Sequence, residues 1–315
     1  MKTYVHFYFY FFYRFYKEDK PDRPLSSNEM AQEGTSRGYT DAGLMCPYSS
    51  LTTKELQQNW REEKRQERPR WLLFELPSHR VRETVFSRHV VYEIVIMRSG
   101  SFDSHRVSIE RRYSDFAKLH QTLLDEFQEE LDEILLPKKL LTGNFNPEQL
   151  LERRLALQDY IAKLYAKRCV RYSEHFANFF THQEMKKAHN LLRAGQFTQS
   201  LELLQLVLEI QEKLAPWQSP TFMVPTLAAL AVCHRDLEKP EEAYESAHRA
   251  LPAVRRYRLN AMEYHAPLLQ MLVDLGYSLG RPVGQMQEEL MALRDAERGR
   301  VDTRSLKEIV VHKFV

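Results

Sequence analysis

The chain has 315 residues, 43% of them hydrophobic and 28% charged, so it has enough apolar content for about two packed domains. Its net charge of +2 excludes a polyelectrolyte that binds nucleic acid through bulk charge, and any attraction to an anionic surface must come from a local patch. Its three cysteines, Cys46, Cys169 and Cys233, form no CxxC pair and no disulfide ladder, which points to a reducing compartment.

In chain order, residues 1–50 read as a disordered N-terminal region. It opens on the aromatic run Tyr4 to Tyr16, too short to span a bilayer, and continues rich in Pro, Ser, Gly and acidic residues. Residues 51–70 form a charged helix candidate ended by Pro69. From Trp71 the pattern changes to β-branched and aromatic residues with a period of two. WLLFELP, then VFSRHVVYEIVIMRSG, then RVSIERRY after a Ser-Gly-Ser turn predict a three-strand antiparallel meander. After Ser114 the period becomes helical, through Phe116, Leu119, Leu123 and Leu124. A loop containing Pro137, Gly143 and Pro147 precedes a second helix over residues 148–170. Residues 71–185 are thus expected to fold as an α+β domain, a three-stranded antiparallel sheet packed on helices.

Residues 186–315 carry almost no strand signal. LRAGQF, RDLEKP and YSLGRP each place a Gly or Pro turn between two helical patterns, and Pro240 and Pro282 lie 42 residues apart. This predicts an all-α, tetratricopeptide-like helical domain whose stacked pairs present a surface to protein partners. Arg249, Arg255, Arg256 and Arg258 read more readily as a solvated helix face than as a second anion patch.

The most informative stretch is Ile109 to Phe116, IERRYSDF. Alternation puts Arg111 and Arg112 on opposite faces of a strand, so the two cations cannot do the same job. A guanidinium fork suits a phosphate, and the adjacent Tyr113 ring suits the face of a polyol. Arg153 shares a helix stripe with Leu150, Leu157, Ile161 and Leu164, so a cation faces inward and needs a polar or anionic partner. Lys138 and Lys139 sit beside Leu140, Leu141 and Phe145, a mixture that suits an anionic membrane interface. The HRDL in residues 234–237 imitates a kinase catalytic loop, but Glu241 stands where the asparagine would be. No Gly-rich loop, nucleophile elbow or HExxH accompanies it, so no enzyme, cofactor or metal site is expected.

These residues carry a resemblance. ERRYSDF is similar to the strand-end signature of PX (phox homology) domains, LPKK to their proline-lysine loop, and LLERRLALQDYI to their third-helix motif, in the same order over residues 71–185. Residues 51–315, with LTTKELQQNW, RRYSDFAKL, LTGNF and LRAGQF, resemble the sorting nexin family, in its twenty/twenty-one subgroup, whereas residues 1–50 have no recognisable counterpart. The resemblance implies that Arg112 binds the 3-phosphate of phosphatidylinositol 3-phosphate, with Ser114 helping to hold it. Tyr113 would stack on the inositol ring, Lys139 would bind the 1-phosphate and Arg153 the 4- and 5-hydroxyls. Leu140, Leu141 and Phe145 would form the membrane-insertion loop. It further implies a peripheral protein of the cytoplasm, recruited to early endosomes, whose helical domain holds the cytoplasmic tail of a transmembrane cargo protein or another protein partner. The alternative is a scaffold whose PX fold is mainly structural or prefers a bisphosphate inositide at the plasma membrane. No nucleic-acid partner is expected.

Overall fold

The computed structural model describes residues 72–84, 87–99, 103, 106–138, 145–257, 261–296 and 304–314. The expectations for residues 1–50 and 51–70 lie outside them. The sheet is built on one long strand. β3 (Ser87–Arg98) pairs along one edge with β1 (Leu72–Glu75) and β2 (His79–Thr84), and along the other with β4 (Val107–Arg112), all antiparallel. β1 and β2 are one rail interrupted at Pro77, whose missing amide cannot serve a ladder. The gap is bridged by the Glu93 amide donating to the Ser78 carbonyl at 3.1 Å and the Ser78 hydroxyl donating to the Glu93 carboxylate at 2.6 Å. The expected three-rail meander is therefore present, with an additional short strand in its first rail.

Alternation decides what the sheet buries. Leu72 and Phe74, Tyr92, Ile94 and Ile96, and Val107 and Ile109 point to one side. They pack under α1 (Tyr113–Leu131) through Phe116, Leu119 and Leu123, and under α2 (Pro147–Ala166) through Leu157 and Ile161. α3 (Arg168–Tyr172) follows. Asn146 caps α2 by accepting from the Glu148 amide at 3.0 Å, with Pro147 in its first turn.

The remaining helices form three pairs: α4 (Glu174–Arg193) with α5 (Phe197–Leu214), α6 (Val224–Asp236) with α7 (Pro240–Arg256), and α8 (Met262–Ser278) with α9 (Gly284–Ala296). A short α10 (Leu306–His312) closes the described chain. This arrangement is compatible with the tetratricopeptide-like expectation. All three pairs turn in the same way. Gly195, Glu238 and Gly280 each take a left-handed φ, of 75°, 59° and 63°. The next amide in each case reaches back to the preceding helix, Gln196 to the Leu191 carbonyl at 2.9 Å, Lys239 to His234 at 2.9 Å and Arg281 to Gly276 at 2.8 Å.

The sheet half and the helical half are one body from Arg68 to Val315. α4 serves both cores, with Phe176, Ala177, Phe179 and Phe180 under the sheet and Met185, Ala188 and Leu192 among the helix pairs. α5 adds Ile210 and Leu214 to the sheet core, and beyond it the Trp217 ring meets Tyr165 edge-on at 5.4 Å. A nearly buried Lys213 pairs with Asp103, which also accepts from the Arg98 amide at 2.8 Å.

Candidate functional site

The β4–α1 junction separates its two arginines as the alternation predicts. Arg111 follows Val107 and Ile109 inward and is 1% exposed. Its guanidinium is saturated. Nε donates to the Phe179 carbonyl at 2.6 Å, Nη1 to the Glu110 carbonyl at 2.8 Å, and Nη1 and Nη2 to the two Glu184 carboxylate oxygens at 2.6 Å each. A buried fork-to-fork pair of this kind fixes α4 against the strand end, and removing one partner would cost about 3–5 kcal/mol by leaving a charge uncompensated.

Arg112, in the opposite parity, is exposed, and among the described residues no carboxylate pairs with it. Its backbone is extended (φ −90°, ψ 160°) and its amide donates to Asp115 Oδ2 at 2.8 Å, so the acid three residues on begins the helix. The side chain is thereby delivered at the N-terminal end of α1, where the helix dipole favours anions.

Tyr113 opens α1 half-buried. Its hydroxyl donates to the Pro137 carbonyl at 2.6 Å, tying the junction to the loop that carries the exposed Lys138. Arg153 lies over the Tyr113 ring, its Cζ 5.5 Å from the centroid, and is 8% exposed on the expected stripe with Leu150, Leu157, Ile161 and Leu164, all buried. Beneath them is Tyr92 of β3, fully buried. Burial raises its phenol above the usual range, and the Arg153 charge beside it pulls the other way. Burial raises Tyr113 likewise, again against Arg153. An inward cation between two phenols, next to an outward cation on a strand end, is the chemistry of a site for an anionic, hydroxyl-bearing ligand.

The structure thus brings Arg153 over the Tyr113 ring, with Arg112 and Ser114, the chain neighbours of Tyr113, both exposed. Phe145 is 37% exposed, and Arg88 of β3 lies over its ring at 4.2 Å. Lys139, Leu140 and Leu141 lie outside the described residues. Two contributors were not singled out from the sequence. Tyr92 carried a signal, since a phenol in parity with Ile94 and Ile96 must find a polar partner inside a core. Glu184 carried none, being 73 residues from the arginine it neutralises.

Elsewhere, Cys233 and His234 of the kinase-like sequence lie buried in α6. Burial pushes the Cys233 thiol up to about 11, against its contact with Ser200, which leaves it a packing residue rather than a nucleophile. In the Arg249–Arg258 cluster, Arg249 pairs with Glu212 and Arg255 with both oxygens of Glu289, as a solvated face would. Among the described residues no group of three metal-ligating side chains occurs, and no helix is long and apolar enough to cross a membrane.

Comparison with known proteins identifies the family. The PX domain family matches residues 99–183, which contain the β4–α1 junction and α2. A sorting nexin-20 from Bos taurus is 43% identical over 270 residues, covering 85% of this chain and 83% of that protein. A sorting nexin-20 from Rattus norvegicus is 41% identical over 298 residues, 93% of this chain and 89% of that protein. A sorting nexin-21 from Mus musculus is 32% identical over 267 residues, covering 85% and 73%. With a PX domain and similarity that runs on through the helix pairs, the chain belongs to the sorting nexin family, in the sorting nexin-20 and -21 subgroup.

Proposed function

We propose that this protein is a phosphoinositide-dependent membrane adaptor. It binds the headgroup of phosphatidylinositol 3-phosphate at the β4–α1 junction, is recruited to early endosomal membranes and carries membrane-protein cargo in its helical half. In this reading residues 71–185 are the headgroup-binding unit and residues 186–315 the protein-interaction unit. Arg112 takes the 3-phosphate with help from Ser114, Tyr113 stacks on the inositol, Lys139 takes the 1-phosphate and Arg153 the distal hydroxyls. Leu140, Leu141 and Phe145 enter the bilayer.

The observation that carries the reading is the division of labour between adjacent arginines. Arg111 is consumed by Glu184, whereas Arg112 keeps an exposed guanidinium at a helix N-terminus beside Tyr113. A solvated guanidinium without a carboxylate partner is available to an anionic ligand. Charge-assisted hydrogen bonds to phosphate are worth about 1.5–3 kcal/mol. Arg112→Ala is therefore expected to weaken binding to phosphatidylinositol 3-phosphate vesicles roughly 10- to 100-fold with an unchanged circular dichroism spectrum. Co-sedimentation with vesicles of each phosphoinositide measures both affinity and selectivity. A folded Arg112→Ala that binds like wild type would return the function to the helical half and leave the PX fold as a platform.

A further inference from the structure

α10 does not belong to the helix-pair pattern. It lies across α4, α6 and α8, the first helices of the three pairs, and so covers the face on which a stacked array would present a peptide site. It is seven residues long and caps itself. The Ser305 amide donates to the Glu308 carboxylate at 2.6 Å, and the Ser305 hydroxyl accepts from the Glu308 amide at 3.3 Å. It inserts three apolar side chains, Leu306, Ile309 and Val310, each 2% exposed or less. Each underlying helix adds polar contacts. His189 of α4 donates from Nδ1 to the Val310 carbonyl at 3.0 Å, and Arg193 to the Val311 carbonyl at 3.2 Å. Asp236, at the end of α6, pairs with Lys307 at 2.6 Å, and Glu263 of α8 with Lys313 at 3.2 Å.

Two of these contacts go to backbone carbonyls at a helix end, which any helical segment presents. The other two are acids at the rim of the face, selective for one lysine within the apolar triplet, after Leu306, and one three residues beyond it. We infer that this face is a binding site for a short amphipathic helix of a partner protein with the pattern Leu-Lys-x-Ile-Val-x-x-Lys, and that α10 occupies it in cis. The inference deepens the protein-interaction role proposed for the helical half and rests on that role alone. Its test contains no lipid, so its failure is distinguishable from failure of headgroup binding. The tether gives α10 an effective concentration of about millimolar, so a trans peptide must bind better or α10 must be weakened.

The test uses the full chain carrying Ile309→Asp, which sets a carboxylate against the apolar floor and ejects α10, and a fluorescent peptide of residues 304–314. Anisotropy should show micromolar binding to the Ile309→Asp chain and at least tenfold weaker binding to wild type. A peptide itself carrying Ile309→Asp should bind neither. The pair Lys307→Glu with Lys313→Glu, which keeps the apolar contacts, should give intermediate uptake. An Ile309→Asp chain that folds but ignores the peptide overturns the inference, as does one that loses its helical signal, because α10 is then an integral part of the core. A wild-type dimer abolished by Ile309→Asp would make the occupant a second copy of this chain, which also overturns it.

Discussion

His189 shows how a single buried side chain sets a condition on the fold. It is 1% exposed, and because a carbonyl can only accept, Nδ1 must carry the proton that reaches Val310. Burial, with Arg193 and Lys313 nearby, lowers its pKa to about 4, and the Val310 bond only partly opposes this. The folded state thus keeps the ring neutral while the unfolded chain takes up a proton near pH 6.5. Stability is lost as pH falls from about 6.5 to about 4, by on the order of 2–3 kcal/mol from this ring. His120, His234 and His248 are lowered for the same first reason and add to that slope. His189→Asn keeps a donor for Val310 without titrating, so chemical denaturation at pH 7 and pH 4.5 should show a smaller loss than in wild type. An equal loss would mean that His189 contributes nothing to the slope. At this scale the sequence was readable where periodicity speaks. Parity separated Arg111 from Arg112, and the α2 stripe identified Arg153 as inward. It was silent on partners brought by tertiary folding, such as Glu184 for Arg111, Pro137 for the Tyr113 hydroxyl and Val310 for His189.

Among the elements, the three helix-pair turns form an internal control. Gly195 and Gly280 occupy the left-handed position with nothing within 4 Å of where a Cβ would stand, so only backbone strain opposes a side chain there. Glu238 bears that strain already. Glu238→Gly should stabilise the protein by about 0.5–1 kcal/mol, and Gly280→Ala should destabilise it by about 1 kcal/mol, both read from thermal melts. A Gly276→Ala change differs in kind, because its Cβ would collide with Val283 Cγ1. The turns made the repeat visible in the sequence, since Gly-Gln-Phe, Glu-Lys-Pro and Gly-Arg-Pro punctuate helical periods. β2 was not visible. His-Arg-Val-Arg-Glu-Thr has a single apolar residue, Val81, and that residue is exposed, so its pairing with β3 rests on backbone hydrogen bonds and the Glu83–Arg88 ion pair, with Arg82 reaching across β3 to Glu110 of β4, rather than on a buried face.

In the whole molecule, neither half is complete alone. Ile210 and Leu214 are 0% and 2% exposed in a core otherwise built from the sheet half, and Trp217 covers Tyr165. A fragment of residues 68–185 loses that cover, and at about 1.5–3 kcal/mol per buried aliphatic side chain it should be about 3–5 kcal/mol less stable than a fragment of residues 68–222. Urea titration of the two would decide it, and equal midpoints would show that α5 merely rests on the sheet. The composition change near residue 185 marks a change of architecture, and the chain passes through it in one unbroken helix. That helix has a geometric consequence. From Phe176 to Leu192 it advances about 24 Å at 1.5 Å per residue. It is anchored in its first half by the sheet core, at its middle by the Glu184 pair with Arg111 and in its second half by the helix pairs. If the β4–α1 junction rests on a membrane, α4 is a ruler. On the proposed function it would hold whatever the helical half carries at one height and one tilt above the bilayer, and partners would then be selected by the reach of their tails as well as by their sequence.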